Sequence, residues 1–123
     1  MSGSSARVKQ YDLEDRTLRF SKQVIQFVNG LPRTIANSET GKQVIRSAGS
    51  IGANYIEANE ALGMKDFVLR LRIARKEAKE TRYWLELTEF PENQAEVQKA
   101  LLQEATELLK ILSAIINKSL GSA

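Results

Sequence analysis

Four stretches of the chain repeat their apolar residues at steps of three and four, the spacing that places residues on one side of an α-helix. The expected inward positions are, stretch by stretch, Leu13, Thr17, Phe20, Val24, Phe27 and Leu31; Val44, Ala48, Ile51, Tyr55 and Leu62; Phe67, Leu71, Ala74, Ala78, Thr81, Leu85 and Thr88; and Val97, Leu101, Ala105, Leu108, Leu112 and Ile115. We therefore predict helices near residues 12–29, 39–62, 65–90 and 93–119.

Turn-forming residues separate these stretches. Asn29 and Gly30 stop the first helix, Gly63 the second and Pro91 the third, because glycine tolerates a left-handed cap and proline cannot continue a helix. Short links favour antiparallel neighbours, and no stretch alternates as a strand does. The sequence thus predicts an all-α fold, an antiparallel up-down-up-down four-helix bundle.

Two of the predicted helices begin at residues suited to capping. Asp12 is placed to cap the first, and Thr40 with Gln43 resembles a capping box for the second. Inside the second helix, Gly49 and Gly52 each cost about 1 kcal/mol relative to alanine. We expect a neighbouring helix to approach closely there, along Gly49 and Ala53.

Positive charge gathers on one flank of the third predicted helix, with Tyr83 and Trp84 nearby. This basic strip consists of Arg72, Arg75, Lys76, Lys79 and Arg82. Basic side chains one turn apart can follow phosphates without reading bases, which makes the strip a candidate nucleic-acid surface. An exposed basic face that is only solvated is the alternative.

More apolar surface is present than one four-helix core requires. On the other flank of the third helix lies an apolar strip of Leu69, Ile73, Trp84 and Leu87, and the fourth helix adds Leu102, Leu109 and Ile116. We predict that these residues form the interface of a homo-oligomer.

Polar residues of the second and third helices suggest structural roles. One interpretation of Glu57 and Glu60 on the second helix and Glu77 and Glu80 on the third is a carboxylate dimetal site. Because the chain has no histidine, this would be an oxygen-only site for Mg²⁺ or Mn²⁺. Ion pairing with Arg46, Arg75 or Arg82 is the favoured interpretation. Asn54 and Asn59 are expected to be structural, with Asn59 capping or bridging the turn into the third helix.

Composition narrows the function classes. The 123-residue chain suits one domain, here a flexible leader at 1–11 and a bundle at 12–120. Without cysteine or histidine, disulfides, thiol chemistry and the commonest general base are excluded. No apolar run approaches the roughly 20 residues that span a membrane, so a cytoplasmic protein is expected. We predict no catalytic residue, cofactor or metal.

Three segments in order, LPRTIAN, QVIRSAGSIGANYIEANEAL and KDFVLRLRIARKEAKETRYWLELTEF, resemble the bacterial four helix bundle protein family, the 23S rRNA-intervening sequence proteins. The resemblance covers about residues 12–116, and its densest part is 45–60. Many members carry proline where this chain has Gly52, which leaves the fold expectation unchanged.

This family is more distantly similar to the accessory variability determinant protein of diversity-generating retroelements. That relation implies a ring-shaped homopentamer, RNA or DNA as ligand, and a reverse transcriptase or another protein as partner. Carried over by position, the basic surface would be the basic strip, with Arg46 a less certain member. Two functions stay open: a nucleic-acid-binding accessory protein, and a structural or protein-interaction bundle.

Overall fold

Four helices make up the fold of the computed structural model, which describes the backbone of residues 5–121 and the side chains of residues 13–121. The helices are α1 (Ser5–Asn29), α2 (Ile35–Asn59), α3 (Met64–Leu87) and α4 (Ala95–Ser119), and a short 3-10 helix (Glu92–Gln94) precedes α4. No strand occurs within the described range. The predicted all-α four-helix fold is confirmed.

Neighbouring helices run antiparallel and pack in chain order. α2 packs against both α1 and α3, and α3 also packs against α4, whereas α1 and α4 meet along the sparsest of the four junctions. Arg16 bridges that junction, with Nε 2.6 Å and Nη2 2.9 Å from the carboxylate oxygens of Glu104. None of the helices within residues 5–121 has both the length and the apolar character to cross a membrane.

Most predicted inward positions lie in the core, and the exceptions fall at helix ends. Leu62 is fully exposed because α2 already ends at Asn59, and Val97 is exposed in the first turns of α4. In α4 the core continues through Ile116, which is 2% exposed, while Ile115 is only half-buried. A spacing of three or four residues after Leu112 allowed either Ile115 or Ile116 as the next core position, and the structure places Ile116 there.

Two predicted helix starts are wrong. α1 begins at Ser5, so Asp12 lies within the helix; residues 1–4 of the predicted leader lie outside the described residues. α2 begins after Thr34, whose hydroxyl oxygen accepts a 3.0 Å hydrogen bond from the backbone N–H of Asn37. Thr40 and Gln43 lie inside α2 and cap nothing.

Asn37 ties the start of α2 to the end of α3. Its side-chain amide donates to the carbonyl oxygens of Pro32 and Glu89, both at 2.9 Å, and its Oδ1 accepts from the backbone N–H of Glu89 at 2.8 Å. Asn37 is 5% exposed, so a buried side chain joins the loop before α2 to the segment after α3.

Close approach between α1 and α2 occurs, but at glycines other than the expected pair. A Cβ on Gly52 would lie 2.8 Å from Thr17 Oγ1, and one on Gly41 would lie 2.8 Å from Val28 Cγ1. At Gly49 the nearest atom would be Ser21 Oγ at an ordinary 3.8 Å, and Ala53 is exposed. The expected close approach of a neighbouring helix to α2 therefore occurs, but its placement along Gly49 and Ala53 is wrong.

Candidate nucleic-acid interface

The basic strip lies along the outer side of α3. Its inner side is fixed by core residues such as Leu71, Ala78 and Leu85, each fully buried, which turn the charged residues away from the core. Arg72, Lys76 and Lys79 are exposed, whereas Arg75 and Arg82 are half-buried. The three exposed residues are separated by four and three positions, so they form one ridge along the helix.

The strip borders α4. Arg75 Nη1 lies 3.5 Å from Ser113 Oγ, which puts this flank of α3 beside α4. Arg82 Nε is buried and has no hydrogen-bond partner among the described residues. Arg75 thus lies against α4 and Arg82, seven residues later, lies on the same side of α3, while Arg72, Lys76 and Lys79 face solvent.

α4 adds positive charge that the sequence analysis missed. Lys99 and Lys110 are exposed and lie about 40° and 60° from Ser113 around the α4 axis. They therefore extend the positive side of the α3–α4 junction. The helical spacing of Lys99 and Lys110 could be read from the sequence, but only the Arg75–Ser113 contact shows which flank of α4 adjoins α3.

The exposed members of the basic strip are not neutralised within the described chain. Arg72, Lys76 and Lys79 belong to none of its ion pairs. Glu86 is the acidic residue on this flank, seven positions after Lys79, at the end of the strip. Positive potential therefore dominates the ridge from Arg72 to Lys79.

Acidic residues on the opposite flank of α3 pair with α2. Arg46 Nη1 lies 3.4 Å from Glu77 Oε1, and Nη2 lies 3.4 Å from Glu80 Oε1, as the ion-pair interpretation expected. Arg75 and Arg82 form no ion pair with these acids. Arg46 therefore faces the α2–α3 groove and not the basic strip.

The two glutamate pairs do not meet. Ser47 lies opposite Thr81 and Asn54 opposite Arg70, so Glu77 and Glu80 are level with the middle of α2. Glu57 and Glu60 are exposed near its end. Within the described residues, no group of three or more acidic side chains could hold a metal ion.

The seven predicted interface residues do not form one surface. In the apolar strip, Leu69 and Leu87 are exposed by 53% and 46%, and Ile73 and Trp84 are half-buried on the side facing α2. Leu102 and Leu109 of α4 are half-buried and pack on the core. Ile116 is a core residue, so its assignment to the interface is wrong.

A second group of exposed apolar residues escaped the sequence analysis. Leu18 and Ile25 of α1 are 53% and 39% exposed, and Ile56 of α2 is 46% exposed. Thr17 lies against Gly52 and Glu14 bonds to Asn59, so Leu18 and Ile56 lie on the same side of the α1–α2 pair. The helical spacing of α1 predicts that Leu18 and Ile25 lie outside the core. It does not show that they lie on the same side as an exposed residue of α2.

The predicted structural asparagines make defined hydrogen bonds. Asn54 Nδ2 donates to the carbonyl of Ser50 at 2.9 Å, and Asn54 Oδ1 accepts from Arg70 at 3.4 Å. Asn59 Nδ2 donates to Glu14 Oε2 at 2.9 Å, so it joins α2 to α1 and does not bridge into α3. Burial raises the pKa of the Tyr55 hydroxyl, although its hydrogen bond with Asn59 opposes this.

An exposed aromatic residue continues the basic ridge. Tyr83 is 59% exposed and follows Lys79 by four residues. Its ring contacts the ring of Trp84 in a T-shaped arrangement, with centroids 5.1 Å apart and an interplanar angle of 74°. Trp84 Nε1 is buried without a hydrogen-bond partner in the described chain.

Comparisons with known proteins agree with this architecture. The family model of the 23S rRNA-intervening sequence protein matches residues 9–114. A solved structure from Bacteroides thetaiotaomicron VPI-5482, described as a protein of unknown function from the S23 ribosomal protein family, is 33% identical, with a TM-score of 0.73. The match covers 89% of this chain and 98% of that one. No curated protein matches the chain.

Proposed function

The chain belongs to the 23S rRNA-intervening sequence protein family, and from that premise we propose that it is a non-catalytic, oligomeric bundle that binds RNA or DNA through the basic strip of α3. The observation that carries the proposal is the ridge of Arg72, Lys76 and Lys79, exposed and without ion pairs in the described chain. On the opposite flank, Arg46 pairs with the acidic residues.

This ridge suits a phosphate backbone. Its members lie about one helical turn apart, roughly 5 Å along the axis, so they can contact successive phosphates of one strand. Such contacts release counterions and carry no sequence information, which fits an accessory role. The family description names 23S rRNA, so RNA is the first ligand to test.

Assembly would enlarge the basic surface. Leu69 and Leu87 leave apolar surface exposed at the two ends of the ridge, one turn before Arg72 and one turn after Tyr83, where a second copy can bury it while the ridge between them stays open. We infer a homo-oligomer, with five copies as the number that the resemblance implies. Repetition around a ring would join separate strips into a band of positive charge.

The test is the salt dependence of RNA binding. We expect affinity for a structured RNA to fall steeply between 50 and 200 mM salt, because several phosphate contacts are lost together. Replacing Arg72 and Lys79 with alanine should weaken binding and flatten the slope of log affinity against log salt by about 2. Both side chains are exposed, so the fold should not change.

Lys22 and Arg33 provide the matched control. They are also one lysine and one arginine, exposed and outside the described ion pairs, but they lie on α1 and in the α1–α2 loop. Their double alanine variant removes the same net charge and should keep the salt slope. Equal weakening by both double variants, or no binding at low salt, would refute the proposal.

A protein-interaction bundle without nucleic acid is the second candidate. The exposed Leu69 and Leu87 favour it, since they suit a protein partner as well as a second copy. Failure of every nucleic-acid probe, with the oligomer intact, would favour this function.

A further inference from the structure

Tyr83 is an aromatic residue placed among phosphate-binding side chains. It follows Arg72, Lys76 and Lys79 at steps of four, three and four, so all four residues lie on one ridge of α3. From Arg72 to Tyr83 the ridge is about 16 Å long at 1.5 Å per residue. A strand that follows the basic residues therefore passes the tyrosine ring.

The Tyr83 ring is positioned by its contact with Trp84 and is still accessible to a ligand. Its T-shaped contact with Trp84 sets an edge of one ring against a face of the other, so at most one face of Tyr83 is covered by Trp84. The residue remains 59% exposed. Trp84 is itself half-buried and packs on the core, so it supports the tyrosine from within the fold.

A positive ridge with an exposed aromatic ring matches the way proteins bind unpaired nucleotides. Lysine and arginine follow the backbone, and the ring stacks on a base whatever its identity, because every base has a π-face. In a regular duplex the bases are already stacked on each other and leave no face for the ring.

Resting on the proposed function, we propose that Tyr83 is a base-stacking residue, and that the basic strip takes single-stranded or looped nucleic acid in preference to uniform duplex. Arg72, Lys76 and Lys79 hold the phosphates, and Tyr83 holds a base that is out of a helix. The preference then comes from an unpaired base and not from base sequence.

The experiment compares two RNA probes on the full chain at low salt. One is an oligouridine about 12 nucleotides long, within the range of known single-strand sites, and the other is a blunt RNA duplex with the same number of phosphates. We expect the oligouridine to bind more tightly to the wild type. Tyr83→Ala should weaken oligouridine binding by about tenfold, leave duplex binding unchanged and keep the salt slope.

Two further variants separate stacking from other losses. Tyr83→Phe keeps the ring and should keep oligouridine affinity. Leu18→Ala removes an exposed apolar side chain of similar exposure, 53%, on α1 and should have no effect. Trp84 is the single tryptophan of the chain, so its emission should change when a base stacks beside it on Tyr83, and not in Tyr83→Ala.

Each other outcome overturns the inference in a recognisable way. Equal affinity for both probes, unaffected by Tyr83→Ala, would mean a phosphate-only strip and would leave the proposed function standing. Absence of binding by either probe would remove the proposed function as well. A changed oligomer mass in Tyr83→Ala with unchanged affinity would make Tyr83 a subunit contact.

Discussion

Gly49 and Gly52 lie three residues apart in α2, yet an added methyl group would meet different surroundings at each. At Gly52 it would lie 2.8 Å from Oγ1 and 3.1 Å from Cβ of Thr17. That hydroxyl is 3.0 Å and 2.9 Å from the carbonyl oxygens of Leu13 and Glu14, so the side chain is held in place. At Gly49 an added methyl group would make only an ordinary 3.8 Å contact with Ser21.

We predict opposite effects of alanine at the two glycines. Gly49→Ala should raise the free energy of unfolding by about 1 kcal/mol through helix propensity. Gly52→Ala should lower it by about 1–3 kcal/mol, because α1 and α2 must separate around Thr17. Urea denaturation of both variants measures this, and a change of the same sign in both would contradict the α1–α2 geometry.

The sequence indicated that a glycine inside α2 makes a close contact with a neighbouring helix, but it did not indicate which glycine. Each internal glycine costs the same helix propensity, so that argument cannot rank them. The angular positions of Gly49 and Ala53 suggested a contact, whereas the actual contact depends on the position of α1 against α2. Distances between helices are set by the packing of both surfaces, which a single helix pattern does not contain.

At the scale of elements, the junction of α2 with the end of α3 depends on Asn37. Its three side-chain hydrogen bonds serve the backbone of Pro32 and Glu89. Both segments have left their helices there, so these backbone groups lack helical partners. The loop after α1 and the end of α3 are thus fixed to each other.

We predict that Asn37→Ala lowers the free energy of unfolding by about 2–3 kcal/mol, because three partly buried hydrogen bonds are lost, two of them to the backbone N–H and carbonyl of Glu89. Asn93→Ala is the control, since Asn93 is exposed in the 3-10 helix, and it should change stability by less than about 0.5 kcal/mol. Thermal or urea unfolding gives both values. Equal effects of the two substitutions would contradict the assigned role of Asn37.

Helix existence and core positions could be predicted from spacing, whereas the start of α2 could not. Thr34 and Thr40 both suit an N-cap, and the glutamine after Thr40 favoured the wrong one. Thr34 is selected with the help of Asn37, whose partner Glu89 is 52 residues away in the chain. Local cap rules do not include such a partner.

At the scale of the whole molecule, two exposed apolar groups are candidates for the subunit interface of the proposed oligomer. Leu69 belongs to the apolar strip on α3, and Leu18 belongs to the group shared by α1 and α2. Both leucines are 53% exposed, so replacement of either by aspartate should leave the folded monomer intact. The helical periodicity indicated the apolar strip on α3. It could not show that Leu102, Leu109 and Ile116 of α4 lie on a different part of the surface or in the core.

We predict that Leu69→Asp dissociates the proposed oligomer, because a charge would enter a dry interface. Light scattering measures the mass, and circular dichroism should show unchanged helix content. Leu18→Asp should keep the wild-type mass. Dissociation by Leu18→Asp alone would move the interface to α1 and α2, and a monomeric wild type would refute assembly.

Ultraviolet crosslinking tests most directly whether nucleic acid contacts the ridge of α3, because it reports each contact by its position in the chain. Oligouridine bound to the wild-type chain at low salt is irradiated, and the crosslinked peptides are identified by mass spectrometry. We expect crosslinks in residues 72–83 of α3, with Tyr83 among them, and their loss at high salt. Crosslinks only in α1 or α2, or none above an unirradiated sample, would contradict it.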